Sequence, residues 1–406
     1  MFDSFLKDKL KFGIRPGLER IEALLDRLGN PHRGPRILHI AGTNGKGSVA
    51  AMLESILRAA GFRVGRYTSP HLVRYTERFL VDGKEVSASR FDAVLSEVEK
   101  TAREIEGERD DPFTEFELLT AAAFLLFARE MLNVWVIETG MGGRWDATNV
   151  VLPELSIITN VALDHAEVLG DTVEAIAAEK AGILKPGVPI LTGATGSALA
   201  LIEKRASELG CPMLRPEGAE FVAADGGDQV FSYGGKDYAL SLLGTYQWQN
   251  APLAIEAARL LRIPERTIQE GLSTVRWPGR FEVWQDEEGR NWLFDGAHNP
   301  AGMQELLFSL EVFFPGEVFA LFGALKDKEW PGMLDALAQK AEVLYVTPDS
   351  MRALTPEALW KQRPGFPACR TVLEGLERAK REAGKRLIVV CGSLYLVGAA
   401  RDALGL

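Results

Sequence analysis

Short apolar runs and amphipathic stretches alternate along most of this chain. ILHI (37–40) is followed by a glycine-rich turn, after which Val49, Ala50, Met52, Leu53, Ile56, Leu57 and Ala60 recur at helical spacing until Gly61. VWVIE (134–138), LSIIT (155–159) and VPILT (188–192) read as buried strands, with a helix over 171–184 between the last two. LLTAAAFLLFA (118–128) is apolar all round and reads as a buried helix, being too short to span a bilayer. Residues 213–243, with GGDQ and YGGK turns between strand-like runs, read as a small antiparallel excursion. After WPGRFEVWQDEEGRNWLFDGAHNP (277–300) the alternation restarts: helix 301–312, FALFGAL, helix 331–340, VLYVT, helix 371–383 and LIVVCGS. Strands alternating with helices predict an α/β fold with mainly parallel sheets. The restart places a boundary near residue 280, giving an N-terminal domain of 1–280 that carries the antiparallel excursion and a smaller α/β domain of 281–406.

Composition narrows the classes. The 406 residues exceed what one core usually organises, and 47% apolar with 25% charged residues is ordinary for a globular protein. A formal net charge of -10 argues against sequence-independent nucleic-acid binding, which needs a basic surface. Three scattered cysteines, Cys211, Cys369 and Cys391, make neither a disulfide framework nor a cysteine-based zinc site and fit a reducing compartment. MFDSFLKDKLKF (1–12) mixes charge with apolar residues and lacks the core of a signal peptide. The expectation is a cytoplasmic protein with no membrane partner.

The turn after ILHIA has the physics of a phosphate site. Small residues let backbone N–H groups curl around an anion, and a helix N-terminus faces it. GTNGKGS (42–48) supplies Gly42, Thr43, Asn44, Gly45, Lys46, Gly47 and Ser48, with Lys46 placed to reach outer phosphates and Ser48 to meet phosphate or a metal ion. The spacing departs from the usual loop, since Ile40 stands where a first glycine belongs and Gly47 where Ser or Thr belongs. Of five histidines, His71, His165 and His298 each follow an apolar run that reads as a strand. Glu138 ends VWVIE beside a glycine turn, a position suited to holding Mg²⁺ near nucleotide phosphates or, equally, to capping the turn. In the second domain DGAHNP, GALKDK, TPDS and GS all follow strand carboxyl ends, the edge where parallel sheets bind ligands.

GTNGKGSV, TSPHL, ETGMGGRWDATN, NVALDHAEVLGDTVEAIAAEKAGI, WPGR, DGAHNP and GSLYLVG, in this order, resemble the folylpolyglutamate synthase and dihydrofolate synthase family within the Mur-type ATP-dependent ligases. The resemblance implies an N-terminal P-loop ATPase domain, a Rossmann-like C-terminal domain and a monomer. It implies ATP and two Mg²⁺ ions, with Ser69, Glu138, His165 and a carbamylated Lys180 as metal ligands. Asn250, Arg280 and Asp295 resemble nucleotide-binding residues. Asp295, His298 and Ser393 resemble those that meet ATP and the incoming glutamate. Arg78 is a candidate for a substrate carboxylate, and Phe113, Thr114 and Phe116 for the pterin or its linker. Capping alone accounts equally for Asn250, Ser393 and the 113–124 segment. The implied reaction joins L-glutamate to dihydropteroate or a reduced folate through an acyl phosphate, with Lys46, Lys180 and His298 as catalytic candidates. A dihydrofolate synthase alone and a peptidoglycan-precursor ligase remain alternatives. Outside the ligases stands a nucleotide switch, whose guanine form needs an Asn-Lys-x-Asp motif absent from this sequence.

Overall fold

The structure, a computed structural model, describes Leu6, Asp8, Lys9, Gly13 and residues 15–109, 111–225 and 227–406. The reading of residues 1–12 as lacking a signal peptide therefore falls mostly outside the described residues. The chain separates into two compact units, Met1–Glu217 with Asn250–Leu272, and Gly218–Gln249 with Ser273–Leu406.

The first unit is built on β1 (Arg36–Ala41), β2 (Val64–Tyr67), β3 (Phe79–Val81), β4 (Lys84–Glu85), β5 (Val134–Glu138), β6 (Leu155–Ile158), β7 (Ile190–Thr192) and β8 (Met213–Leu214). They form one sheet in the order β4-β3-β2-β5-β1-β6-β7-β8. The run from β2 to β8 is parallel, and β3 and β4 add an antiparallel edge. Every residue of β5, and all of β1 after Arg36, is buried, as continuous apolar runs covered on both faces require. Helix Lys46–Ala59 packs against β2 and β5. It carries buried Glu54, whose Oε2 lies 3.6 Å from Nη1 of buried Arg66 on β2, an ion pair that fixes the helix over its strand. The apolar stretch 118–128 lies inside helix Glu115–Arg129, whose Leu118, Leu119, Phe124 and Phe127 belong to a core shared with Trp135 and Tyr67.

The second unit holds two sheets. The antiparallel excursion is β9 (Glu220–Asp225), β10 (Asp228–Tyr233) and β11 (Lys236–Leu240), in the order β11-β10-β9. β12 (Glu282–Gln285), β13 (Asn291–Phe294), β14 (Val318–Phe322), β15 (Ala341–Val346), β16 (Ala368–Cys369) and β17 (Leu387–Cys391) form a sheet ordered β12-β13-β17-β14-β15-β16, parallel except for β12. By contacts, the excursion groups with the C-terminal sheet. The reason is local packing: Phe221 stands 5.1 Å from the Trp248 ring and edge-on to Phe313 at 5.7 Å, and Thr245 N donates to Ser309 Oγ at 2.9 Å. Buried Gln229 ties β10 to the chain that follows, its amide donating to the carbonyls of Leu242 and Gly244.

Candidate active site

Four adjacent parallel strands, β2, β5, β1 and β6, end on the same edge of the first sheet. Their ends and following loops carry Ser69, Glu138, the 42–48 turn and residues 159–165, so sheet topology collects half of the predicted site residues. Gly42 and Gly45 have positive φ, +153° and +81°, and neither tolerates a side chain. A Cβ on Gly42 would stand 1.9 Å from Thr159 Oγ1, and one on Gly45 2.3 Å from Asn250 Oδ1. Asn250 is thereby placed against the phosphate loop, inside helix Thr245–Leu260 and not at its cap.

The loop is clamped from the β6 side. Thr43 N donates to Asn160 O at 3.0 Å and Asn44 N to Asn160 Oδ1 at 2.9 Å. Thr159 Oγ1 donates to Asn44 O at 2.6 Å, and Thr43 Oγ1 exchanges hydrogen bonds with the backbone of Ala162. Thr159 and Asn160 were not singled out from the sequence; their side chains act by buttressing a loop remote in the chain, for which no local pattern exists. Lys46 Nζ donates to the carbonyls of Gly42 and Thr43 and lies 4.0 Å from Glu138 Oε1. Glu138 Oε2 accepts from Ser69 N at 3.2 Å, which joins two of the predicted metal ligands.

Lys180, at the end of helix Val173–Lys180, is buried. Burial pushes its pKa down from 10.5 to about 7, the Lys46 charge adds to the effect, and Asp164 and Asp146 oppose it. A lysine in that state has a large neutral-amine fraction near neutrality, the condition for adding carbon dioxide. His165 takes a positive φ of 52°, and its Nε2 is 3.8 Å from Asp164 Oδ1. Among the described residues no three of His, Cys, Asp and Glu gather as a metal site. Of the four predicted ligands, Glu138 and His165 are of these types, and the structure joins Glu138 to Ser69.

The substrate candidates separate. Phe113 is wholly buried in the core of the first unit. Thr114 caps helix Glu115–Arg129: its hydroxyl donates to Glu117 Oε2 at 2.9 Å and accepts from Glu117 N at 3.2 Å. Phe116 lies against Gly140, in the loop after Glu138, with its ring 6.0 Å from that of Tyr67. Arg78, also buried, donates through Nε to His71 Nδ1 at 2.9 Å, and Glu77 gathers the amides of Leu72, Val73 and Arg74. These contacts shape the turn that follows Ser69.

In the second unit Asp295, at the end of β13, accepts from Tyr246 Oη at 2.7 Å, Phe281 N at 2.9 Å and Ala297 N at 2.8 Å. Burial raises its pKa, against the pull of the Arg280 charge and these donors. His298 Nδ1 is 2.7 Å from Gly296 O, which only accepts, so the neutral ring carries its proton on Nδ1 and keeps Nε2 as the acceptor. Ser393 caps helix Leu394–Ala403 by accepting from Tyr395 N.

Comparison with known proteins agrees with this geometry. Residues 40–258 match the Mur ligase middle domain and residues 279–394 the glutamate ligase domain of Mur ligases. The chain is 35% identical to the dihydrofolate synthase/folylpolyglutamate synthase of Bacillus subtilis, covering 99% of this chain and 98% of that protein. It is 38% identical to a probable bifunctional folylpolyglutamate synthase/dihydropteroate synthase of Haloferax volcanii over 98% of this chain, spanning about half (49%) of that longer protein. A Mycobacterium tuberculosis folylpolyglutamate synthase complexed with ADP and AMPPCP superposes with a TM-score of 0.91 at 31% identity, covering 100% of this chain and 97% of that one. With both Mur ligase domains matched in order and full-length relatives above 30% identity, the chain belongs to the folylpolyglutamate synthase/dihydrofolate synthase family of Mur ligases.

Proposed function

We propose that this protein uses ATP to join L-glutamate to folates, and that it serves both dihydropteroate and reduced folate as acceptors. The observation that carries the reading is the grouping of Lys46, Glu138 and buried Lys180 around a clamped phosphate loop, in a chain alike along its whole length to the Bacillus enzyme. Lys46 and the loop amides hold the triphosphate and offset charge as the γ-phosphoryl group passes to the acceptor carboxylate. The acyl phosphate so formed is attacked by the glutamate amine, and phosphate leaves as the amide forms. Ser69, Glu138, His165 and a carbamylated Lys180 would hold Mg²⁺, which would supply charge neutralisation at the phosphates. Carbamylation adds CO₂ to the neutral Lys180 amine with loss of a proton, replacing a cation with an oxygen donor. Asn250 and Arg280 serve the nucleotide; Asp295, His298 and Ser393 serve the nucleotide and glutamate. Phe116 and Arg78 serve the folate side. His298 Nε2 and the carbamate are the two groups suited to take a proton from the amine.

No described helix is long and apolar enough to cross a membrane. We place the enzyme in the cytoplasm as a monomer acting on small molecules. The test is ADP release by the purified protein with Mg-ATP and L-glutamate, given dihydropteroate or tetrahydrofolate, with products identified by mass. Turnover with both acceptors is expected. Turnover with one restricts the enzyme to that branch, and glutamate-independent ATP hydrolysis with neither overturns the ligase reading.

A further inference from the structure

Buried on β1, three residues before Gly42, His39 has no exposed surface. Its Nε2 lies 2.8 Å from Thr148 Oγ1, on the loop that follows Glu138. Thr148 in turn donates from its hydroxyl to Asp146 Oδ1 at 2.5 Å and from its amide to the same oxygen at 3.0 Å. The other oxygen, Oδ2, accepts from Met141 N at 2.9 Å, closing the loop onto residues directly beyond Glu138. These contacts fix the proton order. Burial raises the Asp146 pKa from its ordinary value, against the donors on both oxygens, and the one hydroxyl proton of Thr148 is given to Oδ1. Oγ1 is left to accept from His39, so Nε2 carries the imidazole proton and Nδ1 is bare. Nδ1 is indeed the ring atom with no hydrogen-bond partner.

We infer that His39 and Thr148 are positioning residues, a buried relay that holds Asp146 and the 140–146 loop in register with the phosphate-loop strand. The loop bears Gly140 against Phe116, while Arg144 N donates to Glu179 O at 2.8 Å, next to Lys180. A shift of Asp146 would therefore reach Gly140 beside Phe116 and the backbone next to Lys180 together, whereas the phosphate loop is held separately by Thr159 and Asn160. The inference rests on the ligase reading for its kinetic consequence, and on geometry alone for its proton order.

The experiment compares His39→Leu, Thr148→Val and their double variant with the conservative His39→Gln and Thr148→Ser, each checked for folding at the assay temperature by circular dichroism. In His39→Leu and Thr148→Val, the relay predicts a KM for tetrahydrofolate raised about tenfold, the scale of losing a group that orients a site residue. The KM for ATP stays within about twofold, and the double variant resembles either single one because the pair acts as a unit. Gln, whose amide reaches as far as Nε2, and Ser recover most of the loss. A purely structural role would lower kcat with the folded fraction and leave KM unmoved. Unchanged KM in the folded variants, or additive losses, overturns the inference. Nitrogen-15 NMR of His39 in the unmodified protein decides the proton order even if no ligase turnover is found: a protonated Nε2 and bare Nδ1 are expected, and the opposite tautomer overturns the relay.

Discussion

Lys46 lies 4.0 Å from the Glu138 carboxylate and Lys180 feels those of Asp164 and Asp146, but the two lysines differ in burial. Lys46 is partly exposed and bonded to loop carbonyls, whereas Lys180 is buried and held toward its neutral form. Lys46→Ala removes the cation proposed to meet the transferring phosphoryl group, and ADP release should fall to background while the helix that Lys46 begins stays folded. Unchanged turnover would remove the loop from the reaction. Lys180→Ala should keep the fold and lose most ligase activity, with partial recovery on adding formate or acetate as a replacement carboxylate; normal turnover would remove the carbamate. Glu54 is a structural counterpart. Its removal takes the nearest carboxylate from buried Arg66, and breaking such a buried pair costs up to about 3–5 kcal/mol, so Glu54→Ala should lower the urea midpoint well before it touches KM.

At the scale of elements, the helix Glu115–Arg129 shows how one residue type carries two readings. Thr114 fits a substrate contact by its place in the family pattern, yet its hydroxyl is spent in a reciprocal cap with Glu117, which also takes the guanidinium of Arg20 at 2.9 Å. Thr114→Ala should therefore cost about 1 kcal/mol of stability, the usual value of an N-cap, with KM for folate unchanged; a raised KM in the folded variant would restore the contact. The predicted helices over 171–184, 301–312, 331–340 and 371–383 sit within a few residues of Val173–Lys180 with its 3₁₀ extension, Pro300–Phe313, Trp330–Ala338 and Val372–Glu382. Periodicity sufficed there because each helix buries one face on a sheet. The clamp of Thr159 and Asn160 on the phosphate loop, the His39 relay and the grouping of β9–β11 with the C-terminal sheet were illegible. All three depend on contacts between segments far apart in the chain, and a buried histidine within an apolar strand looks like any interruption of it.

Over the whole molecule, buried titratable groups set the response to acid. Burial holds His39 down to about 3 and His32 to about 4, the charges of Lys185 and Arg33 adding to it, against an ordinary 6.5. As pH falls through 6.5 the unfolded chain takes up these protons and the fold does not, so stability is complete above that value and declines toward pH 3. Asp146, Asp295 and Glu305, raised by burial, act in the opposite sense, since the fold takes their protons first. The Lys180 window runs from 10.5 down to about 7 and lies above the acid range. A variant comparison isolates one group from this sum. At pH 5.5, one pH unit below the unfolded value, the His39 contribution is on the order of 1 kcal/mol, while at pH 7.5 it is close to zero. Urea unfolding of the unmodified protein and of His39→Gln at both pH values should show the variant losing on the order of 1 kcal/mol less on acidification, because glutamine has no proton to gain. Equal losses would mean that His39 accepts its proton within the fold. Since Thr148 Oγ1 already receives from Nε2, that proton would have to enter at Nδ1, in an environment where no partner exists to receive it.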